Sequence, residues 1–158
     1  MRLDAITDFY PQDHRKGLNK TEKNFLAAWV WVKQKYPELY RIPHKIVVMP
    51  QGMSSRGSYN RSTNQLLINT IHKPSCEYTK HPGWFINTLI HELTHSRQFK
   101  VDKTDSKVFD PKSDNVKYRE SPHEKEARAA GDKAWMEWQK KPLKWEDVQD
   151  QFKNTKWS

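Results

Sequence analysis

At 158 residues the chain is the size of one ordinary domain, long enough to bury a core without disulfide staples. Only 35% of its residues are hydrophobic and 30% are charged, but seven Trp, six Tyr and six Phe supply large buried area, which argues against a disordered chain. The net charge of +9 bears on solubility and on encounter with acidic partners rather than on fold, and the dispersed Lys and Arg lack the dense block of a nucleic-acid arm.

Residues 1–18 read as an irregular lead-in punctuated by Pro11 and Gly17. Asn19 and Glu22 then have capping-box spacing. Phe25, Trp29, Val32 and Tyr36 recur on one helical face until Pro37 stops the helix. A strand is predicted over 42–49, where Ile46, Val47 and Val48 form a short apolar run closed by Pro50. Two short strands, near 57–59 and 66–68, flank a polar turn at 60–64, and 72–81 reads as a loop. Pro82 suits the first position of a second helix reaching about Phe99. Residues 102–117, rich in Asp, Lys and Ser, read as a surface loop. A third helix is predicted from Ser121 and Pro122 to about Gln139. In the tail, the steps Trp145, Val148 and Phe152 predict a short amphipathic helix docked on the domain. Trp29, Trp135 and Trp138 sit at helical spacing and are expected in the core.

The single cysteine, Cys76, cannot form an intramolecular disulfide or a finger-type zinc site, and it fits a reducing compartment. No long apolar run follows Met1, and no window approaches the length of a membrane span. The expectation is a soluble protein with no membrane partner in the cytoplasm, or in the host cytoplasm if the chain is viral.

Chemistry concentrates at 91–95, His-Glu-Leu-Thr-His, inside the second predicted helix. Two histidines four apart on a helix lie on one face a turn apart, so His91 and His95 can reach one Zn²⁺. Glu92 can face the metal's open side and take a proton from a water whose pKa the metal lowers. Phe85, Ile86, Leu89, Ile90 and Leu93 make the rest of that helix apolar, the context such a motif needs.

Zinc needs a third protein ligand, with a fourth position left open. Gln98 and Val101 exclude the extended form of the motif, which would place a histidine at 101. The third helix offers Glu124 and Glu126. Glu124 shares a face with Ala127, Gly131, Ala134, Trp135 and Trp138, a small and apolar face suited to close packing on the histidine helix. Glu126 points away, beside Lys133 and Glu137. Glu124 is the favoured ligand and Glu126 the alternative. Ser121 to Glu124 also has capping-box spacing, which would turn the Glu124 carboxylate back to the helix start. Tyr118 and His123, at the start of this helix, are candidate donors to the oxyanion of a tetrahedral intermediate. Thr88 shares the face of His91 and His95 and is expected to pack.

With these residues in view, the chain resembles the gluzincin metallopeptidases in a short, single-domain form, closest in pattern to small phage and bacterial proteins. The resemblance rests on the HExxH residues 91–95 and on an ExxA pattern, Glu124 to Ala127. In that clan the first Glu of ExxA is the third ligand, which again implies Glu124. The clan often carries an Asp just after the small residue, orienting a ligand histidine; this chain has Arg128 there. The resemblance implies an α+β, minimal zincin-like fold: a small mixed or antiparallel sheet packed on the HExxH helix and on a second, ligand-bearing helix. A single domain would span 1–158, with its core at about 20–140 and a docking tail at 141–158. It also implies that the strand at 65–69 is a cleft-side edge pairing with an extended substrate.

The function expected is peptide-bond hydrolysis by one zinc per chain, with Glu92 as base and a protein or peptide as substrate. The alternative is a catalytically inactive zincin-like binding module whose basic surface binds nucleic acid or an acidic protein. The intact Glu92 argues against it, because a binding module has no need of the base.

Overall fold

The computed structural model describes residues 1–51, 55–72, 77–103 and 121–157. The chain is α+β, with a small mixed sheet and three main elements of helix. Strand β1 (Thr7–Phe9) leads to helix α1 (Lys20–Lys35) and the one-turn helix α2 (Pro37–Tyr40). Strands β2 (Lys45–Met49), β3 (Gly57–Asn60) and β4 (Gln65–Asn69) follow. After the one-turn helix α3 (Glu77–Lys80) come α4 (Trp84–Lys100) and α5 (Pro122–Lys140). The tail adds the turn α6 (Trp145–Val148) and a 3₁₀ turn over Gln149–Phe152.

Helix α1 begins where the sequence places it. The Asn19 side chain accepts from the Glu22 backbone N–H at 2.9 Å, and the Glu22 carboxylate accepts from the Asn19 N–H at 2.9 Å. Its burial exceeds one face: nearly every residue from Thr21 to Val32 is covered. The run Phe25-Leu26-Ala27-Ala28-Trp29-Val30-Trp31-Val32 is apolar all round, and a helix of that kind needs cover on every side. Helix α4 and the tail supply part of it, with Val148 and Phe152 buried in the same cluster. The tail therefore docks as its periodicity predicts.

The sheet order is β1-β2-β4-β3, with β1, β2 and β4 parallel and β3 antiparallel to β4. Two expectations are corrected here. Residues 1–18 are not wholly irregular: Thr7, Asp8 and Phe9 pair with Ile46, Val47 and Val48 as an outer strand. The strand at 65–69 is not an edge but lies between β2 and β3, and the edge strand packed on α4 is β3. Smaller shifts occur nearby. Pro82 precedes α4 instead of opening it, with Gly83 as its N-cap residue, and α3 interrupts the stretch read as a loop. Of the predicted loop at 102–117, positions 104–117 lie outside the described residues, as do Tyr118 and Cys76.

Helices α4 and α5 form the most extensive helix pair among the described residues. The face that joins them is the small one read from the sequence: Glu124, Ala127, Gly131, Ala134 and Trp138 are all buried. At Gly131 the two backbones approach so closely that a Cβ would lie 2.8 Å from the Asn87 carbonyl oxygen. Among the described residues no helix is long and apolar enough to cross a membrane.

Candidate metal centre

Helix α4 carries His91, Glu92 and His95, and the first turn of α5 carries Glu124. Both rings turn their Nε2 atoms toward one carboxylate. His91 Nε2 lies 3.0 Å from Glu124 Oε1, and His95 Nε2 lies 3.1 Å from Glu124 Oε2. The ring centroids are 4.9 Å apart at 79°, so the imidazoles converge edge to face instead of stacking. One donor atom from each of the three residues falls within a 4.8 Å triangle, the only such His/Cys/Asp/Glu group among the described residues. Donors arranged tetrahedrally about 2.0–2.1 Å from a zinc ion lie about 3.3 Å from each other, so these two contacts need open by only a few tenths of an ångström to hold one. The donor set therefore fits a metal ion.

Glu124 resolves the capping question. The Ser121 hydroxyl accepts from the Glu124 backbone N–H at 3.3 Å, which is half of a capping box. The Glu124 carboxylate meanwhile bridges the two imidazoles. Glu126 sits outside the triangle, paired with Arg97 and accepting from Gln98 Nε2 at 2.8 Å. The inward face read from periodicity is thus the one that carries Glu124, and Glu126 lies off it.

The charges follow from this geometry. Burial pushes the Glu124 carboxyl up, but its bonds to His91 and His95 outweigh that and hold it well below the usual carboxylate range. Burial pulls the His95 imidazole down, yet its bond to Glu124 and the nearby charge of Glu92 lift it above its ordinary value. Glu92 is 8% exposed, and burial raises its carboxyl; His95 and His91 oppose the rise and Glu124 adds to it. A raised carboxylate is a stronger base than a free one, which is what proton abstraction needs.

Strand β3 closes one side of the site. A Cβ on Gly57 would lie 3.0 Å from the Thr88 methyl and 3.4 Å from Glu92 Cγ, so a bare backbone passes directly over the motif. Thr88 itself is buried, its hydroxyl bonded to the Tyr78 hydroxyl, as packing predicts. Tyr78 stacks on Phe85 with centroids 4.0 Å apart. At the other end of the strand Tyr59 stacks on Phe99, and Asn64 Oδ1 accepts from Tyr59 (2.8 Å) and from Ser96 (2.9 Å) beside His95. His123 is the second residue of α5, next to Glu124, and its backbone carbonyl accepts from Gln98 Nε2 at 3.0 Å.

Gln98 is the residue sequence reasoning missed. It is fully buried, and its Oε1 lies 2.9 Å from His95 Nδ1. The only signal in the sequence is its place three residues after His95, on the same side of the helix.

Compared with protein-family models, with curated proteins and with solved structures, the chain matches none of them.

Proposed function

We propose that the chain is a zinc-dependent peptidase of minimal zincin-like, gluzincin type, acting on extended protein or peptide segments. The observation that carries this reading is the convergence of His91, His95 and Glu124 on one point, with the buried Glu92 beside it. His91 Nε2, His95 Nε2 and a Glu124 oxygen would hold the ion. When bound, zinc supplies a Lewis acid that makes a water nucleophilic near neutral pH and polarises a carbonyl. Glu92 accepts the proton of the attacking water and returns it to the nitrogen of the leaving amine as the C–N bond breaks. Glu124 offsets positive charge at the centre.

Strand β3 supports the substrate mode. Arg56 accepts from the Asn69 N–H at 3.0 Å, so Arg56 and Asn69 are a hydrogen-bonded pair. Bonded and non-bonded pairs alternate in an antiparallel ladder, which turns the N–H and C=O groups of Gly57 and Tyr59 to the free edge, where the Gly57 carbonyl accepts from the Ser55 hydroxyl at 2.8 Å. A peptide added there as a further strand runs past Glu92 with its main chain held and few side chains read.

The test is zinc content of purified wild type, Glu92→Gln and Glu124→Ala by elemental analysis, beside hydrolysis of an unfolded protein substrate. Wild type should carry about one zinc and cleave. Glu92→Gln should keep the zinc and lose roughly 10²–10⁴-fold in turnover. Glu124→Ala should lose the metal. A wild-type chain that takes up no zinc sinks the reading. Zinc uptake without hydrolysis, and with Glu92→Gln no different, moves it to a binding module.

A further inference from the structure

This inference rests on the metal-site reading and goes one step past it. The side-chain amide of Gln98 is held from both ends. Its Nε2 faces two acceptors, the His123 carbonyl at 3.0 Å and Glu126 Oε1 at 2.8 Å. Neither can donate to it, so the NH₂ end must lie on that side and the carbonyl end must face His95. Oε1 is then a fixed acceptor 2.9 Å from His95 Nδ1. A ring nitrogen that meets an acceptor carries a proton, so once a metal replaces the proton on the other nitrogen the ring would bind it as the Nδ1–H tautomer. That other nitrogen is Nε2, the atom aimed at Glu124.

We propose that Gln98 is the positioning residue of the metal centre, selecting the Nδ1–H tautomer of His95 and tying the ligand-bearing end of α5 to α4. Both halves follow from one buried side chain. The carbonyl end orients a ligand on α4, and the amide end grips the backbone of His123, the residue before the third ligand. Arg97 extends the tie by pairing with Glu126, which already accepts from Gln98. The partner behind His95 is therefore a neutral amide and not a carboxylate, so the ring gains orientation without a negative charge directly behind it. Groups placed behind metal-bound imidazoles commonly act this way, and losing one typically weakens metal binding by about 10–100-fold.

The test uses the full chain, with zinc alone as the probe. Zinc affinity is measured by competition with a chelating dye for wild type, Gln98→Met and Glu126→Ala. The His95 tautomer is read from ¹⁵N chemical shifts in metal-free and zinc-loaded protein. Zinc-loaded wild type should show His95 coordinated through Nε2 with Nδ1 protonated. Gln98→Met, close in size but without hydrogen bonds, should bind zinc about 10–100-fold more weakly, and the Nδ1–H signal of its zinc-loaded His95 should move from the wild-type position as the hydrogen bond is lost. Glu126→Ala leaves the His123 carbonyl to hold the amide and should stay within a few-fold of wild type. Coordination through Nδ1 in the wild type overturns the proposal whether or not any variant folds. Wild-type affinity together with an unchanged His95 Nδ1–H signal in zinc-loaded Gln98→Met overturns it while leaving the metal site standing. Failure of the wild type to bind zinc removes the metal reading itself.

Discussion

Gly131→Ala asks whether the small face of α5 sets the distance between Glu124 and the two histidines. Gly131 lies seven residues beyond Glu124 on that face, two helical turns or about 10 Å along the axis. An added Cβ would lie 2.8 Å from both the carbonyl oxygen and Oδ1 of Asn87. The Asn87 side chain can turn away, at the expense of its 2.7 Å bond to Asp132, but the carbonyl belongs to the α4 backbone and cannot. Ordinary contact begins at 3.4 Å, so α5 must retreat by about 0.6 Å. Overpacking of this kind costs about 1–3 kcal/mol. The better helix propensity of Ala returns about 0.5–1 kcal/mol. The expected result is a net loss of about 0.5–2 kcal/mol, or a melting point of the metal-free protein lower by about 2–6 °C. The retreat also draws Glu124 away from His91 and His95, and zinc affinity should fall about tenfold. Thermal melts and a zinc titration by chelator competition check both. A variant that melts at or above wild type and binds zinc as tightly would refute the close-packing argument. A lower melting point with unchanged affinity would mean that the hold of Gln98 on His123, and not the helix spacing, places Glu124.

Zinc must displace the proton that Glu124 stabilises on His95, so affinity should rise with pH as His95 ionises above its ordinary 6.5 and then level off. An affinity that stays flat from about pH 6 to 8 would contradict the raised value of His95. The metal-free protein should show the opposite trend in stability. Glu124, depressed in the fold, contributes above its unfolded value of 4.5 and loses that contribution as pH falls; His95, raised, contributes below 6.5 and loses its contribution as pH climbs through the raised value. Melting points should therefore peak between these two unfolded values, and a metal-free maximum well above 6.5 would count against the ion pair. Gly57→Val places branched carbons against Thr88 and Glu92; peptidase kcat/KM should drop at least about tenfold while zinc content holds. Unchanged turnover would show that β3 does not line the reacting site.

What could be read from the sequence was whatever depends on one helix and its period. The Asn19 cap, the His91–His95 spacing and the inward face of α5 are local facts, and the structure reproduces them. Helix α4 starts at Trp84, two residues beyond Pro82, and at the intervening Gly83 the ring of Trp138, 55 residues further along the chain, packs so closely that a Cβ would lie 2.6 Å from it. Strand β1 was missed as well. Thr7, Asp8 and Phe9 are all buried, but one is a carboxylate and none alternates with exposed neighbours. Asp8 is tolerated inside because Lys45 of β2 reaches it at 2.7 Å, with Arg2 at 3.7 Å. The strand exists because β2 provides both a ladder and a counter-charge. Strand order escapes notice in the same way, since alternation marks a strand without naming its neighbours, and β3 took the edge assigned to β4.

Gln98 lies at the far end of this scale, and it shows why the least legible residue can be the one on which a site depends. The ligand pattern announces itself because metal chemistry restricts it to His and Glu at fixed spacing. The group behind a ligand has no such restriction: an Asp, a carbonyl or an amide serves equally, from any element that reaches it. Here the position at which the metallopeptidases that the sequence resembles often carry an Asp holds Arg128, and the contact to His95 arises from its own helix, three residues on. That solution works because α5 brings the His123 carbonyl, with the Glu126 carboxylate beside it, to the amide's other end, 25 and 28 residues away in sequence. A glutamine in an exposed version of the same helix would have no preferred orientation. The packing of α5 on α4 thus brings Glu124 to the two histidines and also gives an ordinary polar residue a fixed orientation, so the two features should be gained or lost together.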